Sequence, residues 1–175
     1  LSFCLQVIEA TTIFKTAWGT VMEIEKAAEM GFCFGVRRAI EIVEKASRER
    51  GPLRTLGSLV HNKQVVDRLA TRGVTTAKSL DDVKGSIVAI PSHGRGPEIT
   101  KQMKSRGFEI IDATCPFVRK AQIIAQKLGK ERFRVLVFGD ILHPEVQAVL
   151  GWAGNQASAS LEIPQFDTHP KRLGI

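Results

Sequence analysis

Residues 87–98, IVAIPSHGRGPE, contain the pattern that decides the fold of this chain. A short apolar run over residues 86–91 predicts a buried strand. A loop with His93 between small residues follows it, and Pro97 with Glu98 is typical of the first turn of a helix. A buried strand followed by a loop and a helix is the repeating unit of a parallel α/β sheet.

The same alternation continues on both sides of this stretch. The pattern predicts strands over residues 21–25, 108–112 and 134–138, and helices over 36–50, 62–72, 97–107, 116–128 and from 144 onward. We therefore expect an α/β fold of pseudo-symmetric parallel units. The expected organisation is an unpatterned N-terminal extension (1–21), a first α/β unit (22–112), the start of a second α/β unit (113–153) and an irregular tail (154–175).

Two stretches repeat one motif, Cys-x-x-Val-Arg-basic-Ala, at residues 33–39 and 115–121. Each places a cysteine, Cys33 or Cys115, at the start of a predicted helix. Helix N-termini lower the pKa of a thiol and favour the thiolate, which is the form that binds metal. The repeat suggests part of an iron–sulfur site, although such a site needs more than two cysteine ligands.

Three histidines, His61, His93 and His143, occupy one recurring position between a predicted strand and the next helix. Ligands of parallel α/β sheets bind at this edge, and histidines beside helix N-termini suit a phosphate or diphosphate. Each histidine taken alone could instead be a structural hydrogen-bonding group. Glu145 follows His143 in the first helical turn, where it could donate a proton to a substrate or simply complement the helix dipole.

Composition excludes several classes of protein. The chain has 175 residues, a net charge of +7, 6% aromatic residues and three cysteines at wide spacing. Few aromatic residues and no nucleic-acid motif argue against a nucleic-acid partner. The cysteine count fits a reducing cytoplasm rather than a disulfide framework, and no apolar run is long enough to span a membrane. The cysteines and histidines lack the close spacing of a compact zinc motif. Cys4 lies in the unpatterned extension, and we expect no functional role for it.

Five segments together resemble the 4-hydroxy-3-methylbut-2-enyl diphosphate reductase family of the non-mevalonate isoprenoid pathway. They are GFCFGV (31–36), LVHNK (59–63), SHG (92–94), DATCP (112–116) and HPEV (143–146), and they occur in the family's order.

The resemblance implies three similar α/β units around a [4Fe–4S] cluster, of which this chain would contain the first one and a half to two. It implies reductive removal of a hydroxyl group from the allylic diphosphate, which yields isopentenyl and dimethylallyl diphosphate, with ferredoxin or flavodoxin as electron donor. Cys33 and Cys115 match cluster ligands, and His61, His93 and His143 match the diphosphate-binding histidines. Glu145 matches the carboxylate that relays protons.

The sequence also departs from the family, because no cysteine follows Cys115 to provide a third ligand. We therefore expect an N-terminal part of such an enzyme that has little or no activity alone. We also expect it to associate through apolar surface. The alternative is a non-catalytic α/β module that binds diphosphate through the three histidines without redox chemistry.

Overall fold

The computed structural model describes residues 11–15, 21–25, 30–163 and 170–175. Contacts divide the chain into two compact units, residues 1–33 and residues 34–175. The smaller unit contains an antiparallel pair, β1 (Thr11–Lys15) and β2 (Val21–Glu25). The strand expected over residues 21–25 is confirmed. Strand β1 corrects the expectation of an unpatterned extension, since its β-branched and aromatic residues favour a strand.

The larger unit alternates helices and strands. In chain order it contains α1 (Phe34–Arg50), β3 (Leu53–Leu56), α2 (Lys63–Ala70), β4 (Val74–Ala77), β5 (Ile87–Ile90), α3 (Pro97–Ser105), β6 (Glu109–Asp112), α4 (Pro116–Lys130), β7 (Arg134–Phe138), α5 (Pro144–Ala153), β8 (Ala157–Ser160) and β9 (Leu173–Gly174).

The first sheet of this unit has the strand order β4-β3-β5-β6, and every neighbouring pair is parallel. All four residues of β5 are buried because the sheet is covered on both faces. Ile87 and Ala89 pack in one core with residues of α1 and α2, whereas Val88 and Ile90 pack in another with Met103 of α3. This two-sided burial explains the continuous apolar run in the sequence. The expected parallel α/β class is confirmed.

The second sheet has the order β8-β7-β9, again with parallel pairs. Its core contains Ala125 of α4, Val135 of β7 and Ala153 of α5. Strands β8 and β9 lie within residues 154–175, so the expectation of a wholly irregular tail is wrong. Strand β8 consists of alanine and serine, which give no apolar period, and it exists through backbone pairing with β7. The other expected domain limits stay a prediction.

Candidate functional site

Three loops at the carboxyl ends of parallel strands each carry one of the predicted histidines. His61 lies between β3 and α2, His93 between β5 and α3, and His143 between β7 and α5. Parallel strands place such loops at one edge of their sheet, where helix N-termini also converge. His143 is itself the N-cap residue of α5.

The structure brings the three imidazole rings together, and we call His61, His93 and His143 the histidine group. The ring centroids of His61 and His93 are 5.6 Å apart, with 24° between the ring planes. The centroids of His61 and His143 are 5.2 Å apart. His61 is exposed, His143 is half-buried and His93 is buried. Three imidazoles at this spacing can donate several hydrogen bonds to one small anion.

His93 is buried at 5% exposure without a hydrogen bond to either ring nitrogen from the described residues. Burial, together with the positive charges of Arg95, His61 and His143, lowers its pKa to about 4. Near neutral pH the ring is therefore uncharged, with one donor and one acceptor available. Buried polar groups are nearly always paired, so this side chain is a candidate for ligand binding.

His143 has a defined tautomer. Its Nδ1 accepts a hydrogen bond from the backbone N–H of Glu145 at 3.2 Å. In the neutral ring the proton then resides on Nε2, which remains a donor toward the site. The half-buried Glu145 lies in the first turn of the same helix, so one helix end carries both a predicted anion ligand and the predicted proton donor.

Cys115 lies at the N-cap of α4, next to the loop of His93. Its backbone N–H donates to the carbonyl oxygen of Ser92 at 2.8 Å, and its side chain makes no capping hydrogen bond. A Cβ atom at Gly35, in the first turn of α1, would overlap the Cys115 Sγ atom. Glycine at position 35 therefore leaves room for the thiol.

Four polar residues form a network that supports this loop, and this network was not identified from the sequence. The Asp112 carboxylate accepts hydrogen bonds from the backbone N–H and the hydroxyl of Thr114 and is paired with Arg119. Arg119 also donates to the Oε1 atom of the buried Gln122 at 3.1 Å. In the sequence, this network is indicated only by the spacing of Arg119 and Gln122, which places both residues on one helix face. It fixes the segment that carries Cys115.

Of the three cysteines in the sequence, the structure describes two. Cys33 belongs to the smaller unit and Cys115 to the larger one, and both are free thiols. Cys4 lies outside the described residues. Within the described part of the chain, no group of three histidine, cysteine or acidic residues could hold a metal ion.

A cavity of about 760 Å³ opens between α3, α5 and the turn after β4. Arg95 and Pro144 line it, but none of the histidine group does. The histidine group therefore lies outside the lining of this cavity. None of the described helices is long and apolar enough to cross a membrane.

Known proteins resemble this chain over most of its length. The LytB protein family model matches residues 24–172. A 4-hydroxy-3-methylbut-2-enyl diphosphate reductase of Dehalococcoides mccartyi (strain CBDB1) is 50% identical over 149 residues, which are 85% of this chain and 52% of that protein. The corresponding protein of Campylobacter fetus is 41% identical and aligns with 84% of this chain and 52% of its own length.

Two solved structures share the fold. A structure of (E)-4-hydroxy-3-methyl-but-2-enyl diphosphate reductase matches with a TM-score of 0.66 and 36% identity over 74% of this chain and 47% of its own. The E-1-hydroxy-2-methyl-but-2-enyl-4-diphosphate reductase of Plasmodium falciparum matches with a TM-score of 0.73 and 32% identity over 76% and 42%. The chain spans about half the length of the curated relatives it matches.

Proposed function

The chain belongs to the LytB protein family, and on that premise we propose that it is part of a 4-hydroxy-3-methylbut-2-enyl diphosphate reductase. The reaction would replace the hydroxyl group of the allylic diphosphate by hydrogen, with two electrons and two protons consumed and water released. The products would be isopentenyl and dimethylallyl diphosphate. The observation that carries this proposal is the histidine group at the carboxyl ends of the parallel strands.

In this proposal the histidine group binds the diphosphate. His61, His93 and His143 offer ring N–H donors within one small region. The N-termini of α2, α3 and α5 begin next to these rings, and helix N-termini favour anions. These features support binding of an anion with several oxygen acceptors.

Glu145 would move protons to the substrate. Its helix position places it beside His143, so a diphosphate bound there would hold the rest of the substrate near the carboxyl group. A carboxylic acid in hydrogen-bond reach of a leaving hydroxyl can protonate it as water departs.

A [4Fe–4S] cluster is the proposed cofactor, with Cys33 and Cys115 as two of its ligands. The fit is partial: Cys115 has space against Gly35 and lies at a helix N-terminus, but two cysteines do not complete a cluster site. A further ligand would come from another polypeptide segment, such as one that corresponds to the half of the relatives that this chain does not match. When bound, the cluster would supply the electrons and a Lewis-acidic iron.

The expected electron donor is ferredoxin or flavodoxin in the cytoplasm. The net charge of +7 suits an acidic protein partner, because opposite charges accelerate encounter. The non-catalytic alternative rests on the same histidine group and on the incomplete ligand set of the described residues. Both functions require diphosphate binding and differ in redox chemistry.

Isothermal titration of the chain with inorganic diphosphate tests the shared step. We expect binding that His93→Ala or His143→Ala weakens at least about tenfold, which is the loss of one or two charge-assisted hydrogen bonds. His169→Ala is the matched control, since His169 is the one histidine outside the three loops. Absence of binding in the unmodified chain, or equal weakening by the control, would contradict the proposal.

A further inference from the structure

Arg95 follows the loop of His93 and contacts the loop of another member of the histidine group. Its Nη2 atom donates to the carbonyl oxygen of Leu56 at 2.5 Å. Gly57, with a φ of +80°, lies under the guanidinium, because a Cβ atom at this position would overlap Nη2. The side chain of Arg95 is thus fixed to the end of β3, from which the chain continues to His61.

The backbone of Arg95 contacts the helix that carries the third histidine. Its carbonyl oxygen accepts a hydrogen bond from the indole Nε1–H of Trp152 at 2.9 Å. The neighbouring Gly96 meets Gly151 closely, since a Cβ at Gly151 would lie 3.3 Å from the Gly96 Cα. These contacts join the first sheet's loop to α5, whose N-cap residue is His143.

One residue therefore connects the three loops of the histidine group. We propose that Arg95 is a positioning residue that sets the spacing of His61, His93 and His143 through its bonds to Leu56 and Trp152. The inference rests on the proposed function, since the spacing matters for the diphosphate. Its Nη2 atom and its backbone carbonyl oxygen are engaged with protein groups, so the proposed role of Arg95 is to hold these loops and not to bind the ligand.

The partial burial of the Arg95 side chain indicates that this arrangement serves the site more than it stabilises the fold. The Nε atom of Arg95 is buried without a partner among the described residues. A buried cation with an unpaired donor is costly, and an apolar side chain of similar length would avoid that cost. The charge also lowers the pKa of His93. Burial is the largest cause of that lowered pKa, so Arg95 reinforces the uncharged state of the His93 ring and also fixes the distance between loops.

The test compares Arg95→Met with Arg106→Met in the full chain without ligand. Arg106 is an exposed arginine at the C-cap of α3, paired with Asp81, so its loss changes net charge equally. Ring resonances of the histidines are followed by NMR against pH. We expect Arg95→Met to raise the pKa of His93 and to remove ring-to-ring NOEs between His61 and His143, with Arg106→Met unchanged. Unaltered NOEs in Arg95→Met would overturn the proposal.

Trp152→Phe separates positioning from direct contact with the anion. This variant removes the indole donor, shortens the ring system and leaves every charge in place. We expect it to perturb the His143 ring resonances and to weaken inorganic diphosphate binding about fivefold, the effect of one lost hydrogen bond. If Trp152→Phe leaves both unchanged while Arg95→Met loses binding, Arg95 is a direct ligand and the proposal is wrong.

Two further measurements complete the test. Circular dichroism and thermal unfolding establish that each variant is folded, and Arg95→Lys provides a conservative variant if Arg95→Met does not fold. Lysine keeps the charge but lacks the second nitrogen of the fork, so we expect altered NOEs with a largely retained His93 pKa. The NMR readout needs no diphosphate. If the unmodified chain does not bind diphosphate, that result would count against the proposed function. The NMR result on the positioning role of Arg95 could still be interpreted.

Discussion

At the scale of single residues, His93 and Arg95 are two exceptions to ordinary burial rules, and the buried Nε2 atom of Gln122 is a third. His93 is 5% exposed and both of its nitrogens lack partners in the described structure. Two residues later, a partly buried arginine has an unpaired Nε atom. Unsatisfied buried groups cost stability, and proteins retain them mainly at functional sites. The coincidence of His93 and Arg95 in one loop is the strongest local support for the proposed binding site.

The lowered pKa of His93 predicts a pH dependence of stability. The unfolded histidine titrates near 6.5 and the folded one near 4. The unfolded state therefore binds more protons between these values, and the stability that the neutral ring contributes above pH 6.5 is lost as pH falls toward 4. From pH 7.5 to 5 the loss from this group is about 2 kcal/mol.

Urea unfolding of the chain and of His93→Gln at both pH values measures this effect. The difference in unfolding free energy between the two proteins should shrink at pH 5, since glutamine does not titrate. His169→Gln replaces the one histidine outside the three loops and serves as the control. A pH dependence of His93→Gln equal to that of the unmodified chain would show that His93 is not the titrating group.

At the scale of elements, the packing of α4 on α5 positions both Cys115 and His143. These two residues are the N-cap positions of the two helices. Gly129, near the end of α4, allows the contact, because a Cβ at this position would overlap the backbone carbonyl oxygen of Ala153. A backbone atom cannot rotate away as a side chain can, so the helices would have to separate.

Gly129→Ala is therefore expected to destabilise the protein although alanine is the better helix former. The gain in helix propensity is at most about 1 kcal/mol. Overpacking against a fixed backbone typically costs about 1–3 kcal/mol, and here the overlap is with a carbonyl. We expect a net loss of about 1–2 kcal/mol in denaturant unfolding. The control is Lys130→Ala at the exposed neighbouring position, which should change stability little. If Gly129→Ala is more stable than the unmodified chain, the two helices can move apart without cost and the prediction is wrong.

At the scale of the whole molecule, the carboxyl end of the second sheet exposes large apolar side chains. Phe138 at the end of β7 and Leu142 after it are 66% and 76% exposed. Leu161 and Ile163 follow the paired strand β8 and are 65% and 91% exposed. An apolar edge of this kind is a site for contact with other polypeptide. It supports the expectation of self-association, which stays a prediction.

The whole-molecule prediction concerns the metal. Anaerobic reconstitution of this chain with iron and sulfide should yield well under the about four irons of a complete cluster, because two cysteines do not fill its ligand set. Cys33→Ala and Cys115→Ala should lower the content further, and Cys4→Ala should not. Elemental analysis with visible absorbance measures it. About four irons per chain, lost in both variants, would contradict the prediction and require a further ligand from elsewhere.

The sequence alone determined the α/β class, the alternation of elements and the position of the three histidines between strand and helix. Apolar periodicity and helix-start residues are local, so helices such as α1 and α4 were predicted to within two residues. Their parallel arrangement then implied that the histidine loops share one edge.

Only the tertiary structure decided how those loops meet. The bonds from Arg95 to Leu56 and from Trp152 to Arg95 join residues 39 and 57 positions apart. The burial of His93 likewise depends on packing between elements. Strand β8 exists through its pairing with β7. Local patterns carry no information about such contacts, because their free energy comes from partners that folding brings together.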